Sequence, residues 1–240
     1  IMAGASLMFF GFLGFESISM TVDEIKEPQK NVPRGIVLAL IIVASLYAVV
    51  SLVLTGVVHY TKLNVDDAVA YALRYIGVSW AANYVSVVAI MTLITVCISM
   101  AYALSRMVYS LARDGFLPQT FQKVSKTHKV PHYATLLTGI LSAISSGIFS
   151  LANMASLVNI STLAYLVLLA IALIILRKDK GLPQKDEFKV PFVPVLPILS
   201  IIVCLSFMSQ YSWQTWSAFG IAVLIGSAIY AFYGYKHSKY

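Results

Sequence analysis

Charge is what this sequence has least of. Asp, Glu, Lys and Arg make up 11% of its 240 residues, hydrophobic residues 59%, and mean hydropathy is +0.83. Soluble globular domains carry about 25% charged residues, so a water-solvated fold is excluded. Acids are scarcer than bases, 10 against 17, which leaves a net charge of +7. That charge would suit nucleic acid only if it were gathered on a soluble face, and no such face exists. Cysteine is limited to Cys97 and Cys204, both inside apolar runs. They are read as small buried hydrophobes, and a disulfide framework or metal-ligand spacing is excluded. The four histidines, His59, His128, His132 and His237, lie at the ends of apolar runs or between them. A phosphate-binding glycine loop is lacking, which argues against an ATP-driven pump. No catalytic constellation is found, so the chain is not read as an enzyme, and no cofactor or metal is expected.

What the sequence does contain is apolar runs near the ~20 residues a membrane-spanning helix needs. Seven spans are predicted: 1–22, 36–58, 81–112, 133–152, 156–176, 192–211 and 214–234. Lys62 and Arg74 lie in 59–80; every other Lys and Arg falls in 26–34, 106–129, 177–189 or 236–239. Cytoplasmic loops are rich in Lys and Arg, which orients the chain. Loops 23–34, 113–131 and 177–190 and the tail 235–240 are placed inside, and 59–80, 153–155 and 211–213 outside. The expectation is a multi-pass protein of the cytoplasmic membrane with a cytoplasmic C-terminus and contacts to membrane lipid. The sequence starts at Ile1, within an apolar segment, and is read as lacking an N-terminal part.

Two loops carry patterns of their own. Val65, Ala68, Val69, Ala72, Leu73 and Ile76 repeat at helical spacing, predicting a surface helix capped by Asn64. Leu117, Phe121 and Val124, flanked by Lys123, Lys126 and Lys129, predict an interfacial turn resting on anionic lipid.

The most informative stretch is FFGFLGFESISMTVDEIKEPQKNVPR at 9–34. Gly11 and Gly14 permit backbone angles other residues avoid. Unwinding there frees carbonyls, which are tolerated at membrane depth only where they line a cavity. Phe9, Phe10, Phe12 and Phe15 surround this point. A continuous helix using glycine for close packing is the competing reading. Glu16 is an acid in an apolar span, a functional-site hypothesis by default. Three roles stay open for it: pairing with a base elsewhere in a longer protein, proton coupling because burial favours the neutral carboxyl, or half-solvation at the helix end.

In the third span, Thr92, Thr95, Ser99, Tyr102 and Arg106 share one stripe. They could line a polar path or bond their own backbone. Thr135, Thr138, Ser142, Ser145 and Ser146 are read as helix-packing positions. Asn159, Ser161, Thr162 and Tyr165 form a polar patch read as a gate or cavity wall.

These residues carry a resemblance. The stretch 9–36 closely resembles the broken sixth helix and following loop of the amino acid–polyamine–organocation (APC) superfamily. SRMVYSLARDGFLPQTFQKVSKTHKVPHYA resembles the end of its eighth helix and the next loop, STLAYLVLLAIALIILRKD its tenth helix, and FKVPFVPVLPILS the start of its eleventh. The set is most similar to the cationic amino acid transporter-like branch and covers the whole chain as helices six to twelve. The resemblance implies an all-α integral membrane fold. This would be the second half of a five-plus-five inverted-repeat (LeuT-like) transporter, residues 1–176, plus two extra C-terminal helices in 177–240. It implies a secondary amino acid transporter working by alternating access, with proton symport as the expected mode; an exchanger, a facilitator or a sensor that binds without transport are the alternatives. It places substrate contacts at Gly11 and Leu13 through backbone carbonyls, beside Gly14, with Phe10 as aromatic cover. It implies proton coupling at Glu16, where the family usually has Asp; Thr95, Ser99 and Thr162 are the cavity or gate candidates from the residue pattern itself. The partners implied are an amino acid, protons and the N-terminal half of the same transporter. The surface helix 65–77 would match the extracellular gate helix. Two positions depart from the pattern: Gly11 stands where Ala is common, and Ser161 where Gly usually precedes Thr162.

Overall fold

The computed structural model describes residues 2–14, 25–65, 67–125, 130–181 and 188–238. These residues are mostly helical, with no strand among them. A short helix, α1 (Met2–Met8), passes into a 3-10 turn over Phe9–Phe12. There follow α2 (Pro28–Val57), α3 (Ala68–Tyr75), α4 (Ser79–Arg113), α5 (His132–Ile148), α6 (Leu151–Lys180), α7 (Val195–Met208) and α8 (Trp213–Ile229). A π-helical turn, Tyr230–Gly234, extends α8 toward His237.

Seven spans were expected. Among the described residues, four helices are long and apolar enough to cross a membrane: Pro28–Val57, Ser79–Arg113, Leu151–Asp179 and Trp213–His237. α5 has 17 residues and α7 has 14, so their apolar runs outlast the helices they form. At 1.5 Å per residue, the 35 residues of α4 run about 50 Å, well beyond a hydrocarbon core of about 30 Å, so α4 tilts or projects past it.

Several boundaries differ from the sequence pattern for identifiable reasons. α2 begins at Pro28, at the first helical turn, where a missing N–H costs nothing. Pro33 lies inside the helix and withholds the N–H that Gln29's carbonyl would otherwise receive. The turn between α5 and α6 falls at Phe149–Ser150 rather than near Asn153. Ser150 is the reason: its hydroxyl accepts a hydrogen bond from the Asn153 N–H at 3.4 Å and starts α6 at Leu151, ahead of the expected 156. Likewise α3 is capped by Asp67, not Asn64. Asp67 Oδ1 accepts from the Ala70 N–H at 3.2 Å, and its Oδ2 accepts from the Ser86 hydroxyl of α4 at 2.7 Å. One carboxylate therefore both starts the surface helix and ties it to α4. Asp67→Ala is expected to destabilise this corner by about 1–2 kcal/mol. Amide hydrogen exchange of residues 68–75 checks it; unchanged protection there would contradict this role.

The buried core is small and sits between α6 and α7. Ile160 and Leu163 of α6 pack on Cys204 and Met208 of α7, with Phe9, Trp216 and Phe219 closing the edges. Accessible surface totals 17508 Å², against about 10,600 Å² for a compact soluble chain of 26.3 kDa. The excess is apolar: Leu52, Trp80, Ile98, Leu168 and Leu224 each present most of their surface. Such helices have lipid or further protein as their solvent, not water.

Basic segments meet in pairs. The Phe188 N–H donates to Gln29 Oε1 at 3.1 Å, placing 188–190 beside the start of α2. At the other pair, Gly115 holds φ +91°, and a Cβ there would run into the His237 carbonyl. The turn after α4 is thereby packed on the C-terminal tail, with Phe116 and Tyr230 rings 6.0 Å apart.

Candidate functional site

The site is built on the end of α1. Helical hydrogen bonding stops at Met8, a 3-10 turn carries the chain to Phe12, and the Leu13 N–H closes it on the Phe10 carbonyl at 3.2 Å. Leu13 then turns extended (φ −62°, ψ 145°) and Gly14 takes φ +119°, a conformation only glycine adopts without strain. The continuation at 15–22, including Glu16, lies outside the described residues.

A helix that stops leaves its last four carbonyls without intrahelical partners, and at membrane depth water is not there to take them. Two other helices supply donors. Asn159 of α6, fully buried, donates through Nδ2 to the carbonyls of Ser6 (3.3 Å) and Leu7 (3.4 Å). Tyr211, just beyond α7, donates its hydroxyl to the Ser6 carbonyl at 3.0 Å, and the Ser6 hydroxyl donates to the Phe207 carbonyl at 3.2 Å. On the far side of the break the Tyr47 hydroxyl of α2 donates to the Gly11 carbonyl at 2.9 Å, and its ring meets Phe12 edge-on at 5.5 Å. The broken end is thus fixed from α2, α6 and the end of α7.

Beside it opens a cleft of about 460 Å³ between the α1 break, α4 and α6. Phe10, Leu13 and Gly14 form one wall; Val96, Met100, Ala103, Leu104 and Met107 of α4 form the second; Val158 and Thr162 of α6 form the third. Among the described residues that line it none is charged, and Thr162 supplies the one polar side chain. A site of this kind accepts an apolar moiety, and methionines adapt to its shape.

Of the residues singled out from sequence, Phe10, Leu13, Gly14 and Thr162 come together here. Gly11 lies on the other side, packed on Tyr47, where a Cβ would sit 3.2 Å from the ring; one lone pair of its carbonyl is already engaged by Tyr47. Thr95 and Ser99 do not line the cleft. Their hydroxyls donate to carbonyls one turn back, Thr95 to Met91 at 3.0 Å and Ser99 to Thr95 at 2.9 Å, the self-satisfied pattern that lets a hydroxyl sit in an apolar helix. Ser161 does the same with Leu157 at 2.7 Å. The stripe that reaches the cleft is the neighbouring apolar one, Val96, Met100, Ala103 and Met107.

Four contributors were not legible as such. Tyr47 is 36 residues from Gly11, and its only signal is a hydroxyl-bearing ring amid an aliphatic run. Tyr211 reads as a span-end aromatic. Met100 and Met107 read as ordinary lipid-facing residues.

The comparisons with known proteins converge. A family model described as amino acid permease matches residues 1–229. The chain is 44% identical over 238 residues to the methylthioribose transporter of Bacillus subtilis (strain 168), covering 99% of the chain and 51% of that protein. It is 38% identical over 241 residues to the branched-chain amino acid permease BcaP of Bacillus subtilis (strain 168), covering 100% and 51%. It is 34% identical over 183 residues to cationic amino acid transporter 4 of Homo sapiens, covering 76% and 29%. The chain spans about half the length of the two bacterial proteins.

Proposed function

Because this chain belongs to the amino acid permease family, we propose that the full-length protein is a secondary transporter of neutral, apolar amino acids. In this reading residues 1–176 form the second repeat of a five-plus-five fold and 177–240 add two helices. Alternating access moves the substrate past the α1 break, the C-terminus is cytoplasmic, and Glu16 couples transport to protons. The observation that carries the proposal is the cleft itself. It joins an unwound helix end, which offers backbone groups to a charged amino group, to a wall of Met100, Leu104 and Met107 that suits an apolar side chain. The paired meeting of basic segments supports placing those loops on one side of the membrane.

The same wall favours a second reading. A relative named as a methylthioribose transporter is 44% identical, and a thioether-bearing sugar would also be received by a methionine-lined apolar cleft.

The test is uptake by the full-length protein in proteoliposomes with and without an inward proton gradient. Leucine is expected to accumulate only with the gradient, with leucine and valine competing and lysine not. Equal exchange in both conditions would replace symport by exchange. Competition by methylthioribose but not by leucine would favour the second reading. Glu16→Gln is expected to abolish accumulation while leaving counterflow measurable; normal accumulation by that variant would remove Glu16 from coupling.

A further inference from the structure

A second cleft, of about 570 Å³, lies away from the α1 break, between the end of α6 and residues 189–193. Its polar wall is Arg177 and Lys189; the rest is Gly181, Val190, Pro191, Phe192 and Val193. No acid lines it. Arg177 Nη1 is shielded from solvent and has no hydrogen-bond partner. A guanidinium nitrogen removed from water without an acceptor is costly, so its placement is explained by a ligand that supplies one.

The charge balance decides which ligand. The carboxyl end of α6 contributes about half a negative charge nearby. Among the described lining residues two full cations outweigh it, so the wall they form attracts anions. A planar guanidinium paired with an ammonium matches the oxygens of a phosphate group. Position adds to this: Arg177 directly follows the apolar run 162–176, at the depth where headgroups lie. The rim is apolar and open, with Phe192 80% and Val195 68% exposed, a surface suited to glycerol and acyl carbons. Basic pockets of this kind, between helices at a membrane face, hold acidic lipid headgroups.

We propose that Arg177 and Lys189 form a binding site for a phosphate-class anion, supplied by the headgroup of an acidic phospholipid or by free phosphate. The site is separate from the substrate cleft and independent of the transport reading.

The experiment uses the full-length protein, delipidated and then offered phosphatidylglycerol, phosphatidylcholine or inorganic phosphate, with retained lipid read by native mass spectrometry and thermal unfolding in parallel. Phosphatidylglycerol is expected to be retained over phosphatidylcholine and to raise the unfolding temperature. Arg177→Gln and Lys189→Gln are each expected to weaken that retention roughly tenfold, about 1.4 kcal/mol. Stabilisation by inorganic phosphate that both variants lose would identify the same site with a soluble source. Lys189 is exposed, so Lys189→Gln remains informative if Arg177→Gln fails to fold. Equal retention of the two lipids with no phosphate effect, or phosphatidylglycerol retention unchanged in both variants, would overturn the proposal.

Discussion

On the proposed function, Gly14→Ala is expected to lower uptake by the full-length protein at least tenfold, whereas Gly11→Ala should keep it within severalfold of normal. The two glycines look alike in FFGFLGF, but the structure separates them. Gly14 has φ +119° with only Met100 Cε at 4.0 Å from an added Cβ, so space is not the obstacle. The backbone is: a Cβ at that angle costs about 1–3 kcal/mol. The chain can relieve the strain only by rotating Leu13 and Gly14 away from the cleft they line. A shift of about 1.4 kcal/mol in substrate binding is already tenfold. At Gly11 the added Cβ meets the Tyr47 ring at 3.2 Å, and a ring edge can move by a few tenths of an ångström. Concentration-dependent uptake decides the matter, with surface amounts of each variant matched. Normal uptake by Gly14→Ala, or a greater loss in Gly11→Ala, would show that the geometry of the break is not what the substrate uses.

Asn159→Leu carries the second large effect. Leucine keeps the branched outline, is bulkier and has no donors, so it leaves the Leu7 carbonyl unserved and the Ser6 carbonyl with Tyr211 alone. Leaving a buried acceptor unpaired costs about 1–3 kcal/mol; hydrogen bonds between membrane helices average nearer 0.6 kcal/mol, because the alternative state also finds partners. The higher range applies here. Both carbonyls lie at the end of α1, beyond the reach of helical donors, and Asn159 is fully buried. Tyr211 still serves Ser6 in the variant, so Leu7 is the exposed loss, and Asn159→Leu with Tyr211→Phe should be worse than the sum of the two. The expected outcome is a lower unfolding temperature and substrate affinity reduced about tenfold, with Tyr211→Phe alone milder. An Asn159→Leu protein that unfolds and transports normally would mean the clamp is incidental. Asn159 Oδ1 is itself buried without a partner, so its removal offsets part of the loss and the double variant is the cleaner measurement.

Sequence alone determined the class and the region where the first helix ends. Scarce charge and apolar runs near bilayer length exclude a soluble fold, because lipid tolerates only backbone that satisfies itself. Gly11 and Gly14 marked where the first helix stops, because conformational permission is a property of the residue itself. Local chemistry was legible only in part. Asp67 and Ser150 are as good caps as Asn64, and which one acts depends on where the chain must turn to pack.

What tertiary structure alone decided is which polar groups face a cavity. Thr95 and Ser99 share a stripe with the right spacing, yet each hydroxyl is satisfied one turn back, and the adjacent apolar stripe of α4 meets the α1 break. Periodicity names the faces of a helix but not their neighbours. Tyr47, Asn159 and Tyr211 converge on one helix end from distant positions, and Arg177 and Lys189 on another cleft. A hydrogen bond across such separations is set by how helices cross, and that angle is a property of the packed chain rather than of any segment within it.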